Sequence, residues 1–441
     1  MPAEPHPNQG ELSRFVAAEL ASADNRRVVR HLLAGCQRCR RATAELWRPS
    51  RVGEFSGVVE RVLRRTANQE TSIARERREA VTLLGELAEL SPPRQLLLIL
   101  NSRRYCNWFL CEALIEKAFE AGLSDPEAAV AQAEAATALA ERLLAAQGDE
   151  PVMRDLVGRA WAVLGNARRL RSDLSGAEEA LGRAATELES GSGDPLEEVR
   201  LAGFLGSLRR EQRRFKESSS CYDRAIRCAR AAGDAHLAGR ALLDKATTLG
   251  EAGQPDKEID GLRRAVDLLD GDREPRLLLI AQHNLTWALK ESGRLDEALS
   301  SLQEILPLHA RSAKPMDLLR LRWLEGKLAQ AQGELERAEA AFRDVCNGFL
   351  DRQVPYDAAL ASLDLAAVLF EQDRLGEMKR LTAEILPAFH AMGLHREALA
   401  ALALFEQAVE RERISLRFIA ELAGYLQRAR SDPKLAFQPT V

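Results

Sequence analysis

Four side chains near the start of the chain have the types and the spacing to hold a metal ion. The stretch VVRHLLAGCQRCRRA carries His31, Cys36 and Cys39, and His6 lies well upstream of them in PHPNQGELSRF. Neutral imidazole and thiolate are good zinc ligands. A Cys-x-x-Cys step lets two sulfurs reach one ion from a turn that opens a helix. Two helices are expected between the histidines, Glu11 to Leu20 and Asp24 to Ala34, with ASADN as the break. So short a module has little core of its own, and a metal ion would staple it. The other reading is a small helical bundle without metal. Arg26, Arg27, Arg30, Arg38, Arg40 and Arg41 give the module a basic face, suited to an acidic protein or nucleic acid, or simply to solvent.

The elements that must carry this module are helical. The chain has 441 residues, too many for one compact core but suited to a small module joined to a repeat array. Aromatics make up only 5%, while Ala, Leu, Arg and Glu dominate, which favours long amphipathic helices. Small or aliphatic residues recur at Ala184, Ala225, Ala265, Ile305, Val345 and Ile385, a near-constant spacing of about 40 residues. Seven positions before each is a second slot: Ala177, Ser218, Glu258, Ala298, Ala338 and Met378. Three positions before each is a bulky slot with Leu181, Tyr222, Leu262, Leu302 and Phe342, where Thr382 is the exception. A fixed period of this kind marks a stack of like units, each exposing an apolar flank that only its neighbour covers.

Each unit reads as helix, tight turn, helix. In LKESGRLDEALSSLQEIL the apolar helical pattern stops at Gly293, which suits a left-handed C-terminal cap. Asp296 and Glu297 then open the next helix, where negative charge suits the dipole. Gly333 and Gly253 mark the same turn in two more units, and Asp373 stands where the sixth would have its glycine.

These residues resemble the tetratricopeptide family. AWAVLGNARRLRSDLSGAEEALGRA carries the family's Leu164-Gly165 pair with Ala177, Leu181 and Ala184, and FLGSLRREQRRFKESSSCYDRA repeats it with Leu205-Gly206, Tyr222 and Ala225. The period is longer than the family's usual one and resembles its extended subclass. The resemblance implies an all-α, right-handed superhelical solenoid of antiparallel helix pairs, in which the first helix of each pair lines a concave groove. Carried onto this sequence, the groove positions are Arg159, Asn166, Arg169, Arg200, Arg210, Arg240, His283, Trp287, Lys290, Arg320, Trp323 and Lys327. The sixth unit contributes Leu360, Leu363 and Phe370 instead. A largely basic groove with two tryptophans suits an acidic protein or peptide segment with an aromatic or aliphatic anchor. The alternative is that the arginines sit in helical ion pairs and the tryptophans pack between units.

The start of the chain resembles the zinc-binding anti-sigma domain, with a distant histidine followed by His-xxx-Cys-xx-Cys; here one extra residue separates His31 from Cys36. That resemblance implies a bacterial sigma-factor partner and zinc held by His6, His31, Cys36 and Cys39, with thiolates that can make release sensitive to redox state.

The expected organisation is the zinc-binding-type module at 1–48, a hinge at 49–70, adaptor helices at 71–123, the solenoid at 124–430 and an extended tail at 431–441. Net charge is −4 overall, although Lys and Arg outnumber Asp and Glu over 1–70, so general nucleic-acid binding is not expected. No apolar stretch approaches the roughly 20 residues of a membrane span, and no secretion signal is expected, so the protein is read as cytoplasmic. The seven scattered cysteines fit a reducing compartment. No phosphate-binding glycine loop, nucleophile elbow or His-Glu-x-x-His is present, and Cys106, Cys111, Cys221, Cys228 and Cys346 read as small core residues. The expectation is a non-enzymatic regulatory adaptor. Its solenoid holds a protein partner and its module sequesters a sigma factor or other regulator. The alternative is an assembly scaffold or inhibitor subunit docking an effector enzyme such as a protease.

Overall fold

The structure, a computed structural model, describes residues 6–17, 19–33, 36–46, 73–122, 124–312, 314–392, 394–411, 413–430 and 435–438. Every regular element among the described residues is helical, as expected. Two compact units are present, residues 1–79 and 80–441. The expected hinge at 49–70 lies outside the described residues, as does most of the tail at 431–441.

In the first unit α1 (Gln9–Val16) packs against α2 (Ser22–Leu33) and α3 (Gln37–Leu46). A capping box starts α1: the N–H of Glu11 donates to the Asn8 side chain, and the N–H of Asn8 donates to the Glu11 carboxylate. Arg27 reaches back from α2 to the same carboxylate. Pro7, Leu12, Val28 and Cys39 form the buried core. That is too little apolar surface to hold three short helices on its own.

The second unit is a stack. The helix over residues 73–88 (α4) crosses the division at 79, and its later part and α5 (Pro92–Asn101) lead to α6 (Trp108–Ala121) and α7 (Pro126–Gln147). Six pairs follow: α8 (Pro151–Leu170) with α9 (Leu174–Glu189), α10 (Pro195–Glu211) with α11 (Phe215–Ala231), and α12 (Ala235–Glu251) with α13 (Pro255–Leu268). Next come α14 (Pro275–Glu291) with α15 (Leu295–Ser312), α16 (Pro315–Ala331) with α17 (Leu335–Asp351), and α18 (Pro355–Glu371) with α19 (Leu375–Ala391). Proline begins five of the six first helices, at the position where a missing N–H costs no hydrogen bond.

Within each pair the chain turns at a left-handed residue: Ser172, Arg213, Gly253, Gly293, Gly333 and Asp373. These recur at the same spacing as the small slots at the helix crossing. Glycine adopts this conformation freely, whereas an L side chain there costs about 1–2 kcal/mol. Asp373 performs the glycine's role in the sixth pair, with φ of 58°.

The small slots Ala184, Ala225, Ala265, Ile305 and Val345 are fully buried and Ile385 nearly so. In three units, at Gly165, Gly206 and Gly326, the bulky slot seats its side chain on a glycine of the first helix. A Cβ at Gly206 would fall 2.7 Å from the Tyr222 ring, and one at Gly326 would fall 2.7 Å from Phe342. This close approach is what the Leu-Gly pair provides.

First helices touch in series from α6 through α8, α10, α12, α14 to α16 and line one face. Ahead of the six pairs, α6 packs on α7 and touches α8. The last two helices, α20 (Arg396–Glu410) and α21 (Leu416–Ala429), close the array: α20 packs on α19, and α21 packs on α18. The tail residue Leu435 accepts a hydrogen bond from the Tyr425 hydroxyl at 3.0 Å.

Candidate functional site

His6 precedes α1, His31 lies near the end of α2, Cys36 immediately precedes α3 and Cys39 is in its first turn. One ligand atom from each lies within 4.8 Å of the others. His6 Nδ1 is 3.2 Å from His31 Nε2, 3.4 Å from Cys36 Sγ and 3.5 Å from Cys39 Sγ. A single imidazole nitrogen has one proton or one lone pair and cannot satisfy three partners at once. The edges of a tetrahedral zinc site, from Zn–N and Zn–S bonds of about 2.0 and 2.3 Å, are about 3.3 Å for N···N and about 3.5 Å for N···S. The four residues therefore fit a metal ion, and the extra residue between His31 and Cys36 does not prevent convergence. Cys36 caps the start of α3, where the Cys39 N–H foremost holds its thiol below the usual range. Burial foremost raises that of Cys39. Of the arginines expected to give a basic face, Arg38, Arg40 and Arg41 are exposed, while Arg27 pairs with Glu11.

In the groove the expected cations fall on first helices, but acids from the next unit meet most of them. Arg159 binds Glu112 and Glu197, each at 2.7 Å. Arg169 binds Glu211 and the side chain of buried Asn166. Arg200 joins Glu197 at 2.7 Å, Arg210 lies 3.8 Å from Glu251, and Arg240 lies 3.4 Å from Glu274. Lys290 pairs with its neighbour Glu291 at 3.0 Å. Lys327 Nζ and the Trp323 indole N–H both donate to Asp364 at 2.7 Å. The broadly basic groove is thus corrected to a ladder of ion pairs. The reason is geometric. The constant period sets equivalent positions of adjacent first helices side by side, and Glu211, Glu251, Glu291 and Glu371 form their own column at that period. That column was readable in the sequence and is the signal missed there. The sixth unit's Leu360 and Leu363 are buried and Phe370 is half-buried, so they belong to the core.

Arg320 differs. It is exposed, with no hydrogen-bond or ion-pair partner among the described residues. Around it Trp287 and Trp323 meet edge to face at 5.8 Å, and His283 stacks on Trp287 at 6.3 Å. The tryptophans pack between units and also border a cavity of about 250 Å³ that contains Arg320, His283 and His309.

Of the remaining cysteines, Cys111 and Cys346 are buried, and Cys106, Cys221 and Cys228 are half-buried. Burial pushes the thiol of Cys346 up to about 12 and also raises those of Cys111 and Cys221, so these three are not ready nucleophiles. No helix among the described residues is long and apolar enough to cross a membrane.

No family model and no curated protein matches the chain. Solved structures do. A Rap protein in complex with competence and sporulation factor aligns at 14% identity and TM-score 0.51, covering 73% of this chain and 87% of its own. Aspartyl phosphate phosphatase F from Bacillus subtilis aligns at 11% identity and TM-score 0.50, covering 88% of this chain and 95% of its own. At these identities the likeness shows a shared helical-repeat fold.

Proposed function

We propose that the chain is a non-enzymatic regulatory adaptor whose solenoid groove holds a protein or peptide partner and whose zinc-stapled head engages a second regulator. One observation carries the groove reading. The ion-pair ladder neutralises the other expected groove cations but leaves Arg320 unpaired beside Trp287 and Trp323. A cation with no direct ion pair, its charge offset only through space by Asp317, flanked by large aromatic surfaces, is the composition of a binding hot spot. The Rap structure of similar fold was solved with competence and sporulation factor bound, which supports a regulatory use of such a solenoid.

For the head, the donor set favours zinc over harder cations, because two thiolates and two imidazoles suit a soft, tetrahedral ion. The residues that would hold it are His6, His31, Cys36 and Cys39. Zinc would supply folding energy there. The resemblance to the anti-sigma domain makes a sigma factor the partner to test first.

Affinity capture on the full chain separates the two faces. Cys36→Ser with Cys39→Ser is expected to lose the head's partner alone, and Arg320→Glu with Trp323→Ala to lose the groove's partner alone. Capture of an effector enzyme that survives the cysteine changes and includes no sigma factor would favour a docking scaffold with a structural head. Partners unaffected by either pair of changes would end the adaptor reading.

A further inference from the structure

The cavity of about 250 Å³ between α14 and α16 holds an unfinished hydrogen-bonding site. His309, contributed by α15, is only 6% exposed, yet neither its Nδ1 nor its Nε2 has a partner among the described residues. Each unmet buried polar atom costs about 1–3 kcal/mol, so an imidazole orphaned at both nitrogens is expensive unless something enters to meet it. Both carboxylates that line the cavity are already engaged. Asp317 is held by Arg276 at 3.1 Å, and Asp357 by Arg430 at 2.9 Å. Arg320 is not.

The wall chemistry narrows what can enter. Leu279 and Ile280 give it an apolar side, and Trp287 and Trp323 an aromatic one. Burial disfavours the charged form of both histidines: His283 is pushed down to about 4 and His309 is lowered. A neutral His309 offers one N–H donor, and Arg320 offers a planar fork of donors. At roughly 30 Å³ per water the cavity has room for about eight waters, or for about one amino-acid residue.

We propose that this cavity is a carboxylate pocket. The anionic oxygens of the ligand pair with Arg320 and accept from His309, while a short apolar body lies against Leu279, Ile280 and the two tryptophans. Such a carboxylate comes either from the C-terminus of a peptide lying in the groove or from a free small carboxylic acid. The first source rests on the groove reading above and the second does not.

The test uses the full chain, with calorimetry and the fluorescence of Trp287 and Trp323 as readouts. The probes are N-acetyl-leucine, its amide, and a tetrapeptide ending in leucine with a free carboxylate. The free acids are expected to bind at least about tenfold more tightly than the amide, since the neutral amide offers no charge for Arg320 to pair. Arg320→Gln is expected to remove that preference without loss of thermal stability, because its side chain is exposed. His309→Phe is expected to block both acids; the melting temperature of that variant distinguishes blockage from unfolding. Tetrapeptide binding tighter than N-acetyl-leucine would assign a peptide end, and equal binding a free acid. Either outcome supports the pocket. Equal binding of acid and amide, or acid binding untouched by Arg320→Gln, would overturn it. If a groove partner is captured through Trp323 while no acid binds, the pocket fails and the adaptor reading stands.

Discussion

The head and the array reach order by opposite routes. The array buries a continuous core: Tyr222, Phe342, Phe349, Phe389 and Phe405 are all essentially inaccessible, and each unit is covered by the next. Among its described residues the head buries little apolar surface beyond Pro7, Leu12, Val28 and Cys39, and four polar side chains converge on one point. Removing one array contact therefore weakens a distributed structure, whereas removing the convergence point takes away most of what holds the head.

The largest effect that sharpens this contrast is metal loss. Structural zinc contributes on the order of 10 kcal/mol to a small domain. Cys36→Ser with Cys39→Ser, or chelation, is expected to abolish amide protection across α1, α2 and α3. Protection across α8 to α17 should stay unchanged by hydrogen exchange. Protection of the head surviving both treatments would erase the contrast.

Next is a core deletion in the array. Phe342 is fully buried against Gly326, so Phe342→Ala should cost about 3–5 kcal/mol in denaturant unfolding. Metal content should not change.

Glu258 gives a smaller effect with a pH signature. It occupies a slot that is alanine in three other units, with Gly250 making room: a Cβ there would fall 2.3 Å from the Glu258 carboxyl carbon. Burial, aided by nearby Glu251, pushes its carboxyl from an ordinary 4.5 up to about 7. Between these values the folded state keeps a proton that the unfolded state has lost, so stability falls as pH rises across that window and levels off above it. Glu258→Gln should raise stability at pH 8 by about 2 kcal/mol once solvent screening of this half-buried group is allowed for, with the gain vanishing near pH 4.5. Melting temperatures across that range measure it, and a gain independent of pH would contradict the assignment.

The smallest effect is at the turns. Arg213 holds a left-handed conformation with φ of 58° where three other units have glycine. Arg213→Gly should stabilise by up to about 1 kcal/mol. Destabilisation would show that the side chain compensates the strain, for instance through its approach to the Phe215 ring at 5.2 Å.

How much could be read from the sequence follows the same division. The repeat was legible because one geometric demand recurs at one spacing: a small or aliphatic residue at the crossing, a bulky one three positions before it, a left-handed turn. Asp373 obscured the sixth turn only by residue type, since aspartate tolerates the same backbone region. The pairing of α6 with α7 was less legible. Between α6 and α7 the glycine is Gly122, which caps α6 in a right-handed conformation with φ of −48° rather than in the left-handed one of the later turns. In the head, His6, His31, Cys36 and Cys39 were legible as a set because only a few residue types ligate soft metals. The groove was misjudged in charge, because arginines were read one helix at a time, while the carboxylates that neutralise them sit one repeat further on in a column of their own. His309 carried no signal, since nothing in a sequence shows that a buried imidazole goes unpaired.

The central claim, that the groove around Arg320 is where a partner is held, is tested most directly by site-specific photo-crosslinking in the full chain. A photoreactive phenylalanine analogue is placed at position 320 in the groove or at Arg337 on α17, whose side chain is 72% exposed. The account predicts a discrete crosslinked species from position 320 that is absent from position 337 and is lost when Trp323→Ala is added. Equal crosslinking from both positions, or a partner captured only from position 337, would contradict it.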